Sequence, residues 1–156
     1  MFLAHEEILP GQGHKAGRRL LRQLYEQHVG TPMPPVVTAS LGKPVFAEGD
    51  LHFSITHTKS HAFCVLSQNE VGIDAEELTR TINPRLAEKL LSPSEKAQYD
   101  RAQDQNRALL TFWVLKEAWG KCMGKGLQLW PNHTEFSLND PRVTEQNGCL
   151  VAVIEK

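Results

Sequence analysis

Apolar residues recur at helical spacing over 15–28, where Leu20, Leu21, Leu24 and Tyr25 line one face and Lys15, Arg18, Arg19 and Arg22 surround them. Gly30 and Pro32 close that segment, as expected of a helix end. Residues 31–40 are proline-rich and read as loop or extended chain. The period then shortens. Three apolar, β-branched runs at 51–56, 62–67 and 71–76 predict strands. The connections Thr58-Lys59-Ser60 and Gln68-Asn69-Glu70 are short enough for hairpins, so the expectation is an antiparallel meander. Ser92-Pro93-Ser94-Glu95 carries an N-cap, a proline at the first helical position and the glutamate of a capping box. A long helix is expected over 105–122, stopped by Gly124 and Gly126. The pattern is α+β.

A faint repeat runs through these elements. His52-Phe53-Ser54-Ile55 followed by Ala62-Phe63-Cys64-Val65-Leu66 is echoed by Glu135-Phe136-Ser137-Leu138 followed by Leu150-Val151-Ala152-Val153-Ile154, each copy preceded by a helix.

Candidate chemistry gathers at two places. Asp74 and Glu76 end an apolar run two residues apart, a spacing that puts both carboxylates on one face of a strand. Glu117 and Lys121 stand four apart within a helical pattern and also share a face. Oxygen donors without a Cys or His ligand set suit Mg2+ rather than zinc, with a lysine beside the metal adding charge for the same phosphate. Taken singly, the carboxylates would be a solvated strand end, and Glu117 with Lys121 an exposed ion pair. Phe112 and Trp113 read as core. His57 and His61 lack a third ligand for zinc, and the glycines after Lys121 do not have P-loop spacing.

Val71-Gly72-Ile73-Asp74-Ala75-Glu76 and Phe112-Trp113-Val114-Leu115-Lys116-Glu117-Ala118-Trp119-Gly120-Lys121 resemble the two signatures of the 4'-phosphopantetheinyl transferases, in particular the surfactin-type branch. Leu41-Gly42-Lys43-Pro44, His52-Phe53-Ser54-Ile55-Thr56-His57 and Gly124-Lys125-Gly126-Leu127 extend the resemblance in order along most of the chain. It implies a single domain of two pseudo-symmetric halves, about 1–70 and 71–156, each a small antiparallel sheet packed on a long helix. The expected activity is Mg2+-dependent transfer of phosphopantetheine from coenzyme A to a serine of an apo acyl or peptidyl carrier protein, releasing 3',5'-ADP. The resemblance assigns the metal to Asp74, Glu76 and Glu117, and catalysis to Glu117 and Lys121. Coenzyme binding falls to Arg18, Lys43, Thr56, His57 and Lys116. Either Glu117 or a metal-bound water takes the serine proton. Two other classes stay open: a degenerate module that binds coenzyme A or a carrier protein without catalysis, and an unrelated Mg2+-dependent phosphohydrolase.

Composition narrows the partners. The 156 residues hold 17 Lys and Arg against 18 Asp and Glu, a net charge of -1, which excludes nucleic acid and membrane surfaces as expected partners. Three cysteines without C-x-x-C spacing read as reduced thiols of a cytoplasmic protein. Arg85, Lys89, Lys96 and Arg101, on a helix expected over 83–101, would offer a basic face to an acidic carrier helix. Relative to the resembled family, a strand before Ala4 and several after Leu138 are expected to be missing, leaving sheet edges, so that the chain is expected either to self-associate through them as a homo-oligomer or to be a compact variant.

Overall fold

The computed structural model describes residues 1–156. Its first long helix, α1 (Gly13–Val29), buries Ala16, Gly17, Leu20, Leu21, Leu24 and Tyr25 on one face. It ends where Gly30 turns left-handed at φ 77° and donates its N–H to the Glu26 carbonyl. The helix lies on an antiparallel sheet in which β5 (His61–Ser67) runs between β1 (Phe2–Glu7) and β4 (His52–His57). The β4–β5 turn is closed by Thr58 Oγ1, which accepts the N–H groups of Ser60 and His61. A short hairpin, β2 (Val36–Thr38) with β3 (Pro44–Phe46), bridges α1 and β4.

A second sheet has the same plan. Its central strand in space, β8 (Cys149–Glu155), runs between β6 (Val71–Glu77) and β7 (Val143–Gln146). Asn147 (φ 51°) and Gly148 (φ 73°) make the β7–β8 turn, the left-handed pair that a two-residue hairpin needs. The helix on this sheet is α4 (Gln105–Met123), capped at its start by the Asp104 side chain and at its end by left-handed Gly124. Each sheet therefore follows the order first strand, last strand, middle strand: β1-β5-β4 and β6-β8-β7.

Alternation along the strands explains the core. Ala62, Cys64 and Leu66 of β5 pack toward α1, while Phe63 and Val65 join Val71, Ile73, Ala75 and Val151 between the two sheets. Leu150, Ala152 and Ile154 of β8 pack toward α4. A strand buried on both faces reads as a continuous apolar run, as 62–66 does.

Four expectations are corrected. The connection 68–70 is not a hairpin, because β6 pairs with β8 rather than β5; β6 instead abuts β4, where the Ile73 N–H donates to Ser54 Oγ at 3.1 Å. A strand does precede the first helix: β1 pairs with β5 along its whole length. Glu135-Phe136-Ser137-Leu138 is not the counterpart of β4, since it forms no strand and is tethered by side chains, Phe136 N–H to Glu95 and Leu138 N–H to Gln98; β7 fills that place. The helix expected over 83–101 is broken into a 3-10 turn at Pro84–Leu86, then α2 (Ala87–Leu90) and α3 (Pro93–Arg101). Leu91 turns extended, and Ser92, Pro93 and Glu95 cap a new helix.

Candidate functional site

The site forms where α4 crosses β6. Gly72, Asp74 and Glu76 share the strand face toward the helix, and Gly72 permits the crossing. A Cβ there would lie 2.0 Å from the Ala118 carbonyl oxygen and 2.5 Å from the Cys122 nitrogen. On α4, Trp113, Glu117 and Lys121 repeat every four residues and so share one stripe.

Asp74 is the hinge of the arrangement. Its Oδ1 accepts the Lys121 ammonium at 2.7 Å and the Thr56 hydroxyl at 3.1 Å, while its Oδ2 is buried without a partner. Burial pushes its pKa up, and the Lys121 charge and hydrogen bond oppose that rise. Lys121 also donates to the Ile73 carbonyl at 3.0 Å. Glu117, half-buried on α4, joins neither of the site's ion pairs. Its pKa is raised first by burial and then by the Asp74 charge, with Lys121 and Arg80 acting the other way. Glu76 Oε1 accepts the Trp113 indole N–H at 3.1 Å and pairs with Arg80, whose guanidinium lies 5.3 Å from the Trp113 ring centre.

Two cavities flank this junction. One of about 810 Å³ runs past Gly13, His14, His57, Lys59, Glu76 and Arg80. The other, about 240 Å³, is lined by Lys43, Pro44, Phe53, Lys121 and Gly124 among others. His57 is exposed with its ring over Gly13, where a Cβ would lie 2.3 Å from it. Lys43 reaches the end of α4 and donates to the Cys122 carbonyl at 3.0 Å, a favourable place for a cation.

Asp74, Glu76, Glu117 and Lys121 thus meet where α4 crosses β6, with His57 at one cavity and Lys43 at the other, and three other expected residues behave differently. Thr56 is buried and spends its hydroxyl on Asp74, so it orients a carboxylate instead of lining a cavity. Arg18 sits with His14, Lys15, Arg19 and Arg22 in a hollow on the outer face of α1, outside both cavities. Lys116 is turned into the interior, 1% exposed, where it donates to both oxygens of Glu95 at 2.8 and 2.7 Å and sits 2.9 Å from the His133 ring nitrogens. One residue along a helix is a 100° rotation, which takes Lys116 away from the stripe of Glu117. Sequence reasoning missed Arg80 and the polar role of Trp113; the i, i+4, i+8 series Trp113, Glu117, Lys121 was the signal available for the latter.

No three His, Cys, Asp or Glu side chains converge into a closed ligand cluster, and Glu76 is paired with Arg80 and Trp113. The donor set nonetheless suits a hard cation. It is all oxygen, with one buried carboxylate oxygen orphaned and a second carboxylate in neither ion pair.

A family model described as the 4'-phosphopantetheinyl transferase superfamily matches residues 70–150, the span from the start of β6 into β8. The 4'-phosphopantetheinyl transferase gsp of Aneurinibacillus migulanus is 30% identical over 133 residues, covering 82% of this chain and 55% of the relative. The 4'-phosphopantetheinyl transferase HetI of Nostoc sp. is 31% identical over 122 residues, 72% of this chain and 52% of its own length. The 4'-phosphopantetheinyl transferase AcpT of Escherichia coli K12 is 33% identical over 112 residues, 69% and 57% respectively. The chain spans about half the length of these curated relatives. With a family model matched over half its residues, on the segment that carries Asp74, Glu76, Glu117 and Lys121, the chain belongs to the 4'-phosphopantetheinyl transferase superfamily.

Proposed function

We propose that this chain is a single transferase domain, its cleft lying between halves of about 1–70 and 71–156, that moves the 4'-phosphopantetheine group of coenzyme A to a serine of an apo acyl or peptidyl carrier protein. The observation that carries the reading is the juxtaposition of Asp74, with its orphaned buried oxygen, against Glu117 and Lys121 where α4 crosses β6. In the reaction the serine oxygen bonds to the β-phosphorus, the bond from that phosphorus to the bridging oxygen breaks, and 3',5'-ADP leaves with the electron pair. Mg2+ bound by Asp74, Glu76 and Glu117 would neutralise the charge that builds on the phosphate oxygens.

The chain's own residues do the rest. Lys121, fixed by Asp74 and the Ile73 carbonyl, supplies positive charge beside the leaving group. Glu117, half-buried on α4 and in neither ion pair, accepts the serine proton. His57 and Lys43, one at each cavity, bind phosphates of the coenzyme, and Thr56 holds Asp74 in place. No helix is long and apolar enough to cross a membrane. In this reading the enzyme meets its carrier-protein partner in the cytoplasm. The outer edges of the two sheets, β1 and β7, are the surfaces through which two copies would pair.

The test is the intact mass of an apo carrier protein after incubation with the chain, coenzyme A and Mg2+. A phosphopantetheine mass gain that disappears with Glu117→Ala and without metal is the expected result. No gain on any of several carriers, with coenzyme A still bound, would replace this reading with a non-catalytic binding module.

A further inference from the structure

Three carboxylates, Asp74, Glu76 and Glu117, neighbour two cationic side chains, Lys121 and Arg80, where α4 crosses β6. The two cations are held differently. Lys121 is fixed by both Asp74 and the Ile73 carbonyl. Arg80 follows β6 through a turn closed by its own N–H to the Glu77 carbonyl at 2.9 Å. Its backbone is anchored to α4, since Asn106 Nδ2 donates to the Arg80 carbonyl at 2.8 Å and Asn106 Oδ1 accepts the Ile82 N–H at 3.1 Å. The side chain beyond that anchor is 41% exposed. Its guanidinium rests over the Trp113 indole and donates to Glu76 Oε1, the same oxygen that accepts the Trp113 N–H. It also lines the 810 Å³ cavity beside His14, His57 and Lys59.

We propose that Arg80 is an exchangeable counter-ion. It holds Glu76 while the cleft lacks a divalent cation, and it is released into the large cavity as a phosphate-binding group once a cation takes the carboxylate. The inference rests on the transferase reading above and adds to it a residue that the family signatures do not contain. An arginine paired to a carboxylate near the surface is held weakly enough to exchange, and a doubly charged ion competes with it directly for Glu76. The freed guanidinium remains on its Asn106-anchored backbone, with the planar donor fork suited to phosphate. Trp113 keeps Glu76 oriented through the exchange, because its N–H bond to Oε1 does not depend on Arg80. The exchange also couples the two ligands: the cation that neutralises the carboxylates releases the group that grips the anion.

The test removes the charge with Arg80→Gln, which leaves the anchored backbone in place. Calorimetric titration with Mn2+ alone is expected to show binding about two- to five-fold tighter than in the unsubstituted chain, because an internal competitor is gone. Binding of adenosine 3',5'-bisphosphate at saturating Mn2+ is expected to fall about ten-fold. Arg80→Lys, which keeps the charge, should bind Mn2+ like the unsubstituted chain. The tryptophan fluorescence change on adding Mn2+, caused by the guanidinium leaving Trp113, should be smaller in Arg80→Gln. Mn2+ binding that is unchanged or weakened by Arg80→Gln overturns the exchange and leaves the transferase reading standing. An unsubstituted chain that binds no Mn2+ and transfers nothing overturns both.

Discussion

Thr56 Oγ1 donates to Asp74 Oδ1 at 3.1 Å across the seam between β4 and β6, so a strand of one sheet orients the central carboxylate of the other. The seam is otherwise poor in backbone pairing, and Ser54, which accepts the Ile73 N–H, makes the companion bond two residues earlier. Thr56→Val keeps the shape and removes the hydroxyl. It is expected to cost about 1 kcal/mol and to weaken Mn2+ binding, with Thr56→Ser restoring both. Urea melts and Mn2+ titration check this, and a Thr56→Val protein with unaltered Mn2+ affinity would deny Thr56 its orienting role.

Gly72 is where the two sides of the site meet most closely. Its missing side chain is required by backbone atoms of α4, which cannot swing aside as a side-chain tip can. Gly72→Ala should therefore destabilise by about 3 kcal/mol, measured by chemical denaturation. Gly11→Ala is the contrast. Gly11 has a positive φ of 85° but open space around it, so only the conformational penalty of about 1 to 2 kcal/mol applies. Equal losses at the two positions would mean that the α4 crossing is looser than the structure has it.

The buried ion pair of Lys116 and Glu95 makes a different kind of prediction. The Glu95 carboxylate also accepts the N–H groups of Ser92 at 2.9 Å and Phe136 at 2.8 Å, tying the capping box of α3 to the segment before β7. Lys116→Met leaves that carboxylate buried without its counter-ion and should cost about 3 to 5 kcal/mol. Pairing it with Glu95→Gln should cost less than the sum of the single changes. At a temperature where Lys116→Met is folded, its affinity for coenzyme A should match that of the unsubstituted chain. A selective loss of coenzyme affinity would return Lys116 to the binding site.

The contrast between Lys116 and Glu117 shows what was legible in the sequence. Helical spacing located α1 and α4 to within two residues at each end, and the Ser92 capping box was read correctly. Face membership on α4 was readable for Glu117 and Lys121 because four residues return to one face. The partner of Lys116, Glu95, lies 21 positions away, and spacing carries no information on it. The hairpin at 58–60 was read correctly, since β4 pairs with β5, but the next strand pairing failed for the same reason. The loop at 68–70 has hairpin length, yet β6 pairs with a strand whose residues come some 80 positions later, and local turn signals rank loops rather than partners. Phe136-Ser137-Leu138 has a strand's composition, but its N–H groups go to Glu95 and Gln98.

All three cysteines are buried. Burial pushes the Cys64 thiol up to about 12 and raises Cys122 and Cys149 as well. Native protein at pH 8 should therefore resist a thiol reagent that modifies all three after denaturation. The sign for stability follows from the same shift. Between the ordinary value of 9.0 and about 12 the folded Cys64 keeps a proton that the unfolded chain loses, so its contribution falls as pH rises, by about 1.4 kcal/mol per unit. Compared with Cys64→Ala, the unsubstituted chain should lose about 1 kcal/mol between pH 9 and 10, since the unfolded thiol is only half ionised at pH 9. A stability gap independent of pH over that interval would place the thiol in a less apolar setting.

The orphaned Asp74 Oδ2 gives the last expectation. A buried carboxylate oxygen without a partner is costly, and a bound cation would satisfy it while offsetting the burial that raises both Asp74 and Glu117. Mn2+ at ten times its dissociation constant should stabilise the fold by about 1.4 kcal/mol, which for a chain of this size is a rise in melting temperature of about 3 to 6 °C. Asp74→Asn should abolish the rise. Glu76→Gln should reduce it less, since the Glu76 carboxylate is shared with Arg80 and Trp113. Thermal melts with and without Mn2+ separate these cases: a rise that survives Asp74→Asn would put the cation elsewhere, whereas a graded loss from Asp74 to Glu76 follows from the way β6 and α4 divide their charges.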